Sequence, residues 1–417
     1  MKNRARKTGF MALMLVAAAS AAFTSRAATA GPAERSFDIQ LRVAQSLEAK
    51  LNLIADIADE SAARLLAGGN IFLAGEKGMV TEMLGRAGGL CGAKALALDK
   101  ALPALGHNDV VLLSNYGTPG TLASSLGKLA PTGALVIAFA SAENPLLRQP
   151  PAPNVRFVPV DISLDSCLVR SAAGEPLMLT AAPAIATAQW TYVAELLAAC
   201  RRQHKQLAIY LSIHLDDGHR RYDRTKGLLF EPDLRPDPVA RGEYGRSFLR
   251  SARRSLEAIR DGEMKNIRQA ALWLREASAA RKQIVRNLMG HLPPAEAGLR
   301  GDAPFFTQIT RLTGEPGAKW IHDNLHDGDL YFFLGYQKNE DAMAATAHAA
   351  GARTIFLTST APGAEQAKDP RHLYINPHWP LTDACLELSG YDVKACPLSC
   401  IAGMTCYDAI CAEAVCP

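Results

Sequence analysis

Short apolar runs alternate with longer amphipathic stretches along most of the chain, and this alternation predicts an α/β protein. In the first half, the apolar runs are five or six residues long and are followed by small or polar residues. Strands of this kind, separated by helices, are typical of parallel sheets that are covered on both faces. The predicted strands are residues 70–74, 109–113, 134–139 and 155–160, and the predicted helices are residues 40–67 and 187–200.

The second half shows the same alternation and repeats segments of the first. Residues 60–64 (ESAAR), for example, recur as residues 276–281 (EASAAR). Four such matches occur in the same order at offsets of 214 to 220 residues, which indicates a duplicated domain. The predicted strands of this half are residues 330–334, 354–357 and 373–375, and its predicted helices are residues 247–280 and 340–350.

The duplication sets the expected organisation of the 417-residue chain, which is long enough for two domains. We expect an α/β protein of two three-layer α/β/α domains with mainly parallel sheets. One domain covers residues 31–205, and the other covers residues 246–417 and ends in a Cys-rich segment. Residues 206–245 join the two and hold three prolines, which suits an extended linker.

The first 30 residues show the three-part pattern of a secretory signal peptide. Basic residues open the segment, residues 9–23 are apolar, and Ala28 and Ala30 stand at the −3 and −1 positions of a cut before Gly31. No twin-arginine pair is present, so we expect a Sec-type route to the periplasm or the exterior. The alternative is an uncleaved anchor, although the apolar run is short for crossing a bilayer.

The formal charge of +4 comes from the same segment. The chain has 45 Lys and Arg against 41 Asp and Glu, and the first 30 residues hold five of the basic residues and no acidic one. The remainder therefore carries 40 basic and 41 acidic groups, a net charge of −1. A nearly neutral body gives no electrostatic reason to bind nucleic acid or an anionic membrane. We expect neither as a partner once the signal peptide is removed.

The cysteines give a second indication of the compartment. The chain has nine, and six of them fall in its last 33 residues. In an oxidising compartment such a cluster favours disulfides, with buried free thiols as the first alternative and a metal site as the second. The spacings match no standard zinc pattern, so we expect no metal and no cofactor.

Two segments carry a resemblance to a known family. Residues 109–143 (DVVLLSNYGTPGTLASSLGKLAPTGALVIAFASAE) resemble the core of a SIS (sugar isomerase) domain, and residues 329–363 match in outline. The resemblance covers most of residues 35–205 and 246–417, and the arrangement is similar to that of tandem double-SIS proteins. It implies two SIS-like, Rossmann-like domains, binding of a carbohydrate derivative, and self-association into a homo-oligomer.

The first turn of this segment offers a ligand cradle. A strand that ends at a Ser-, Gly- and Thr-containing turn before a helix exposes backbone N–H groups at the positive end of the helix dipole. Ser114, Asn115, Gly117, Thr118 and Thr121 would line such a cradle for a phosphate, a carboxylate or sugar hydroxyls. The alternative is that Thr118 or Thr121 only caps the next helix.

The turn after the first strand supplies further candidates. Gly75, Lys77 and Gly78 would complete the binding loop, with Lys77 as a point charge on an anionic ligand. Glu76 is a candidate general base for proton transfer next to a carbonyl, provided that burial raises its pKa. The alternative for both Lys77 and Glu76 is a solvated side chain on a loop.

The second half has fewer candidates, because no Ser or Thr remains in residues 334–339. Lys338 could still supply a polar contact, and His378, after the strand at 373–375, is a second candidate acid or base. His214 and His219 lie near two carboxylates, but their Pro-rich surroundings favour a solvated loop over a metal site.

We therefore expect an exported SIS-like protein that binds a sugar or phosphosugar, with aldose–ketose isomerisation as the catalytic extension of that binding. Two alternatives stay open, a sugar-binding module without turnover and a structural or assembly protein with vestigial sites. A fold shared by many activities does not decide among them.

Overall fold

The computed structural model describes residues 31–298, 305–310, 312–336, 340–380 and 382–416. The predicted signal segment, residues 1–30, and the predicted contact residue Lys338 lie outside the described residues. In chain order, the main elements of the first half are α1 (Pro32–Ala49), α2 (Leu51–Leu66), β1 (Ile71–Gly75), α3 (Lys77–Met83), β2 (Ala93–Ala95), β3 (Val110–Ser114), α4 (Pro119–Leu129), β4 (Leu135–Ser141), β5 (Val155–Val160), β6 (Cys167–Arg170), β7 (Pro176–Leu179) and α5 (Ala181–Arg202).

The same order of elements returns after a short connecting helix, α6 (Gly218–Thr225). The described elements that follow are α7 (Glu243–Gly262), α8 (Met264–Ala279), β8 (Ile284–Leu288), α9 (Leu292–Glu296), β9 (Gln308–Thr310), α10 (Gly314–Asn324), β10 (Leu330–Leu334), α11 (Asp341–Ala349), β11 (Arg353–Leu357), α12 (Ala364–Lys368), β12 (His372–Ile375), β13 (Ala384–Leu386), β14 (Ala395–Pro397) and α13 (Ser399–Val415).

Each half builds one five-stranded sheet in which all neighbouring strands are parallel. The strand orders are β2-β1-β3-β4-β5 and β9-β8-β10-β11-β12, so the second sheet repeats the topology of the first. In each half a small antiparallel hairpin then leads into a long helix. The predicted fold class, α/β with mainly parallel sheets covered by helices, is confirmed.

Alternate residues of the central strands serve two different cores. On β3, Val110 and Leu112 face the core between the sheets, whereas Val111 and Leu113 face a smaller core under α4. This alternation is what a strand buried on both faces requires. The layered arrangement leaves the carboxyl ends of the strands, and the turns that follow them, as the open edge of each sheet.

The core between the sheets belongs to both halves. The long helix α5 is buried along almost its whole length and packs on α2 and on α7, which opens the second half. The last helix, α13, is equally buried and packs on α1 and α8. The sequence suggests two separate cores, but the helices that open and close the chain pack together and join the halves through one core.

The two long predicted helices are each broken in the middle. The stretch predicted at residues 40–67 is α1 followed by α2, with the break at Lys50, and the stretch at 247–280 is α7 followed by α8, with the break at Glu263. The side chain of Lys50 pairs with Asp161 at 2.6 Å, which ties the first break to the segment after β5. The amphipathic pattern continues across both breaks, so periodicity alone does not reveal them.

Residues 206–245 are folded rather than uniformly extended. Besides α6, this connector forms isolated bridges from Leu207 and Ile209 to Phe230 and Leu90, and its residues Leu207–Tyr210 are buried. Backbone bonds join Tyr210 to Gly88 and Gly89, so the connector packs on the first half. The apolar run at 207–211 is the feature that a Pro-based linker prediction overlooks.

The nine cysteines all lie in the described part of the chain, and all carry free thiols. The disulfides favoured by the sequence are therefore not formed, and buried thiols, the first alternative, describe Cys400, Cys406 and Cys411 on α13. Burial raises the pKa of the Cys400 thiol to about 12, so this group stays protonated and unreactive.

Among the described residues, no helix combines the length and apolarity needed to cross a membrane.

Candidate functional site

A cavity of about 560 Å³ opens at the carboxyl ends of β1 and β3. We call it the first-half cavity. Its position is the edge where open parallel sheets hold ligands, and its size is within the range of small-molecule sites. It is lined by Gly75, Glu76, Lys77, Val80, Thr81, Ala95, Leu96, Ala97, Leu98, Asp99, Asn115, Thr121 and Ser125.

Gly75 allows the two strands that form this edge to approach each other. Its φ is +100°, and a Cβ atom at this position would lie 2.0 Å from the carbonyl oxygen of Ser114. The next amide, that of Glu76, donates to the same carbonyl at 3.1 Å. Only glycine meets both conditions.

Asn115 is the most informative polar group in the wall. Its Nδ2 donates to Thr121 Oγ1 at 2.7 Å, and that hydroxyl donates to the carbonyl of Thr118 at 2.7 Å. The chain of bonds fixes the amide so that Oδ1 is its remaining acceptor. Asn115 is only 4% exposed, and this Oδ1 has no partner among the described residues. A ligand hydroxyl would satisfy it.

Charged and hydroxyl groups surround this acceptor. Lys77 is exposed at the mouth and can place its ammonium on an anionic group. Asp99 lies on the segment after β2 and offers acceptors for ligand hydroxyls, while Thr81 and Ser125 add hydroxyl groups. One cation and two carboxylates, Glu76 and Asp99, share the wall with neutral hydroxyl groups, which suits a hydroxylated ligand whose single acidic group contacts Lys77.

Glu76 lies in the same wall and is partly buried. A Cβ atom on Gly117 would stand 2.9 Å from Glu76 Oε1 and 3.0 Å from Thr121 Oγ1, so Gly117 leaves the space between these two polar groups open. A carboxylate in this position can take a proton from a carbon or hydroxyl of a ligand that is held by Asn115 and Thr121.

The structure separates other predicted residues from the cavity. Ser114 is fully buried at the end of β3, and Gly78 packs against Glu296 of the second half, where a Cβ would lie 2.1 Å from Glu296 Oε1. Thr118 is exposed as the N-cap of α4 and contributes its carbonyl rather than its hydroxyl. These three residues shape the site without lining it.

His378 is also apart from the cavity. It follows β12 in the second half, and its Nε2 lies 3.5 Å from Glu263 Oε1, at the break between α7 and α8. His378 is not among the residues that line the first-half cavity, so the structure does not place the two predicted catalytic residues in one wall. Sequence order alone could not show which sheet edge each turn belongs to.

Several lining residues escape sequence reasoning. Asp99 follows β2, which has only three residues and no apolar run to predict it. Ser125 is four residues after Thr121 on α4, so one helical face presents both, and this spacing is the signal that could have found it. Glu296 was missed as well. It is buried and accepts a hydrogen bond from the Tyr116 hydroxyl, which fixes the turn after β3 against the second half.

A buried charged cluster at the end of α3 joins the two halves. Arg86, after α3, pairs with Glu82 of α3 and with Asp383 of the second half, and all three side chains are almost fully buried. Burial raises the pKa of Glu82, and the nearby guanidinium opposes the rise. Trp190 Nε1 donates to Glu82 Oε1 at 2.9 Å, so the cluster is also hydrogen-bonded to α5.

No protein-family model and no curated protein matches this chain. Among solved structures, the C-terminal domain of glucosamine-fructose-6-phosphate aminotransferase from Francisella tularensis is similar at 12% identity, with a TM-score of 0.46 and coverage of 91% of this chain and 96% of that chain. A protein assigned provisionally as a phosphosugar isomerase from Silicibacter pomeroyi DSS-3 is 15% identical, with a TM-score of 0.43 and coverage of 93% and 98%. A phosphoheptose isomerase from Francisella tularensis is 12% identical, with a TM-score of 0.29 and coverage of 40% and 93%. Similarities this distant assign no activity to this chain.

Proposed function

We propose that the first-half cavity binds a carbohydrate derivative that carries an acidic group, such as a sugar phosphate. The observation that carries this proposal is the buried Oδ1 acceptor of Asn115. Thr121 holds this amide in the cavity wall, and Lys77 lies at the mouth of the same cavity. A buried acceptor without a partner is unfavourable, and a ligand hydroxyl relieves it. Lys77 pairs with the acidic group of the ligand, and the carboxylate of Asp99 accepts hydrogen bonds from further ligand hydroxyls.

Calorimetric titration of the purified protein with glucosamine 6-phosphate, fructose 6-phosphate and the corresponding free sugars tests this proposal. We expect a phosphorylated sugar to bind more tightly than its free form, and Lys77→Met to remove most of that difference. Asn115→Ala should weaken both forms at least tenfold, because it removes the fixed acceptor. Asn52→Ala, an exposed asparagine on α2, is the matched control and should change nothing. Equal affinities in the Asn115 and Asn52 variants would refute the assignment.

Isomerisation is the catalytic extension of this proposal, with Glu76 moving the proton between neighbouring carbons. Glu76→Gln keeps the shape of the side chain and removes the base. It should abolish solvent deuterium incorporation into a bound ketose phosphate while leaving its affinity within about threefold. If Glu76→Gln lowered the affinity and the unsubstituted protein showed no deuterium exchange, Glu76 would be a binding residue only.

Binding without turnover is the second candidate. It is favoured by one observation: His378, the other predicted proton-transfer residue, pairs with Glu263 instead of facing the cavity. A phosphosugar that binds but shows no deuterium exchange and no product after prolonged incubation would select this candidate.

Export and self-association complete the proposal. Removal of residues 1–30 by a signal peptidase would leave Gly31 as the first residue, and Gly31 directly precedes α1. N-terminal sequencing of protein recovered from the periplasm should begin at Gly31, and light scattering should give a mass above that of one chain. A start at Met1 would refute cleavage, and a monomeric mass would refute the oligomer.

A further inference from the structure

A second cavity of about 560 Å³ lies between the two halves, under the connector. We call it the connector cavity. Its floor comes from the end of α3, the turns after β8 and β10, and the hairpin that starts at Ala384, and its roof comes from the connector. It is lined by Thr81, Gly85, Arg86, Ala87, Tyr210, Leu211, Ser212, Ile213, His214, His219, Tyr222, Asp223, Met289, Gly290, His291, Tyr336, Thr382 and Asp383.

Part of the roof of this cavity is aromatic and aliphatic. Tyr210 and Tyr222 stack with their ring centroids 4.8 Å apart and an interplanar angle of 22°. Ile213 stays 43% exposed at the cavity although the neighbouring run of the connector is buried. Leu211 and Met289 add apolar surface on either side. A flat, apolar-faced ligand would cover these side chains and gain the free energy of burying them.

His214, His219 and His291 line the cavity, and we call these three residues the histidine edge. His291 Nδ1 is 3.0 Å from the carbonyl oxygen of Thr81, which can only accept, so Nδ1 is the protonated nitrogen. His214 and His219 stand exposed on the connector side. Imidazoles both donate and accept hydrogen bonds, so this edge can pair with a ring that carries both kinds of group.

The floor adds a donor without adding net positive charge. Arg86 is 2% exposed, and its Nε–H has no hydrogen-bond partner among the described residues. The other guanidinium nitrogens are taken by Glu82, Asp383, Ser399 and Cys400. Two carboxylates therefore face one guanidinium, and an anionic ligand would gain little here. A neutral acceptor, such as a ring nitrogen or a carbonyl oxygen, suits the unpaired N–H.

We propose that the connector cavity is a second ligand site, distinct from the first-half cavity, and that it takes a small uncharged heteroaromatic compound. The stacked tyrosines and Ile213 hold the faces of the ring, and the histidine edge and Arg86 hold its polar atoms. Aromatic and aliphatic side chains share the wall with histidines, hydroxyl groups and the carboxylates of Asp223 and Asp383, and these carboxylates disfavour an anionic ligand. The proposal does not depend on the function proposed for the first-half cavity.

Saturation-transfer NMR and calorimetry with nicotinamide, adenine and indole test the proposal on the full protein. Nicotinate is the charged counterpart of nicotinamide, and cyclohexanecarboxamide is its non-aromatic counterpart. We expect at least one uncharged heteroaromatic compound to bind, and nicotinate and cyclohexanecarboxamide to bind at least tenfold more weakly than nicotinamide. Absence of binding by all three compounds at millimolar concentration would overturn the proposal. Tighter binding of nicotinate than of nicotinamide would overturn the uncharged class.

Variants locate the site. Tyr222→Ala and His214→Ala should each weaken binding at least fivefold, because they remove part of the roof and part of the polar edge. His322→Ala is the matched control, since His322 is an exposed histidine on α10 outside this cavity. Thermal unfolding of each variant verifies that it folds, and both targets lie at partly or fully exposed positions. Unchanged binding in both cavity variants would place the compound elsewhere and overturn the assignment.

Discussion

The open edges of the two sheets have the same topology but different chemistry. In the first half, the turns after β1 and β3 supply Glu76, Lys77 and Asn115 to an open cavity. In the second half, the turns after β8 and β10 supply Met289, His291 and Tyr336, and the connector covers them. Since the strands keep the same order, the difference comes from the turns and from the covering segment. The sheet topology fixes where the two cavities form, and the turns set the chemistry of their walls.

The largest expected effect is on stability, and it comes from the buried cluster of Glu82, Arg86 and Asp383 that joins the two halves. Arg86→Ala leaves Glu82 and Asp383 buried without their cation, so the free energy of unfolding should fall by about 3–5 kcal/mol. Denaturant unfolding measures the loss. Glu387→Ala, which breaks the exposed pair with Lys394, is the control and should cost no more than about 1 kcal/mol. Equal losses in the two variants would contradict a role for the cluster in holding the halves together.

Gly75 ends β1 and Gly290 lies in the turn after β8, and these two glycines differ in the space around them. Gly75→Ala should destabilise the protein by on the order of 3 kcal/mol, because its Cβ would overlap the Ser114 carbonyl oxygen. Gly290 has a similar φ of +102°, but its nearest neighbour, the Tyr336 hydroxyl, is 3.6 Å away. Gly290→Ala should therefore cost only the backbone strain, about 1–2 kcal/mol. Urea unfolding of both variants measures the difference, and an equal loss would contradict it.

Acid should weaken the second half more than the first. Thr354 pairs in register with His372, and its hydroxyl bonds both His372 and His348, whereas the corresponding pair in the first sheet is Val136 and Val155. Burial lowers the pKa of His372 to about 4. The folded state keeps this imidazole neutral while the unfolded chain takes up a proton near pH 6.5. Stability should therefore fall as the pH drops from about 6.5 to 4, by at most about 3 kcal/mol.

Denaturant midpoints across this pH range, with His372→Gln as the comparison, measure the effect. The variant should show a flatter dependence on pH, because it no longer takes up the extra proton on unfolding. Hydrogen exchange should show β11 and β12 opening before β4 and β5. The same pH dependence in both proteins would remove His372 as the cause.

The two cavities should respond independently to their own variants. Asn115→Ala should weaken sugar phosphate binding at least tenfold and leave heteroaromatic binding within about twofold, and Tyr222→Ala should do the reverse. Calorimetric titration of both variants with both ligands gives the four affinities. Loss of both ligands in either variant would indicate one continuous site rather than two.

The smallest expected effect concerns the thiols. Because the nine cysteines are free, a reducing agent should leave the melting temperature unchanged. A melting temperature that falls on reduction would show that disulfides contribute to stability.

The sequence predicts the strands of the two sheets better than the residues at their carboxyl ends. Buried strands such as β10 and β11 are apolar along their length, so their positions follow from the pattern of residues, to within one residue at either end. β8 (IVRNL) contains Arg286 and Asn287, which are both buried, and these polar residues hide the strand. Their burial is made possible by partners far along the chain, such as Tyr407 for Arg286. Such partners are visible only in the folded molecule.

The site shows the same limit. Gly75, Glu76, Lys77, Asn115 and Thr121 lie where a strand passes into a helix, and that local pattern predicts their place in the cavity wall. Asp99 comes from a short edge strand, and Glu296 comes from the other half of the chain. The connector, predicted as a solvated linker, becomes the roof of a second cavity because its apolar run packs on the first half. These residues meet only through tertiary packing.

The central claim is that the first-half cavity and the connector cavity take different ligands. Its most direct test is hydrogen–deuterium exchange of the protein with and without glucosamine 6-phosphate. We expect slower exchange in residues 95–99 and 115–125, which line the first-half cavity, and unchanged exchange in residues 210–223, which roof the connector cavity. Protection confined to residues 210–223, or protection nowhere in the chain, would contradict the account.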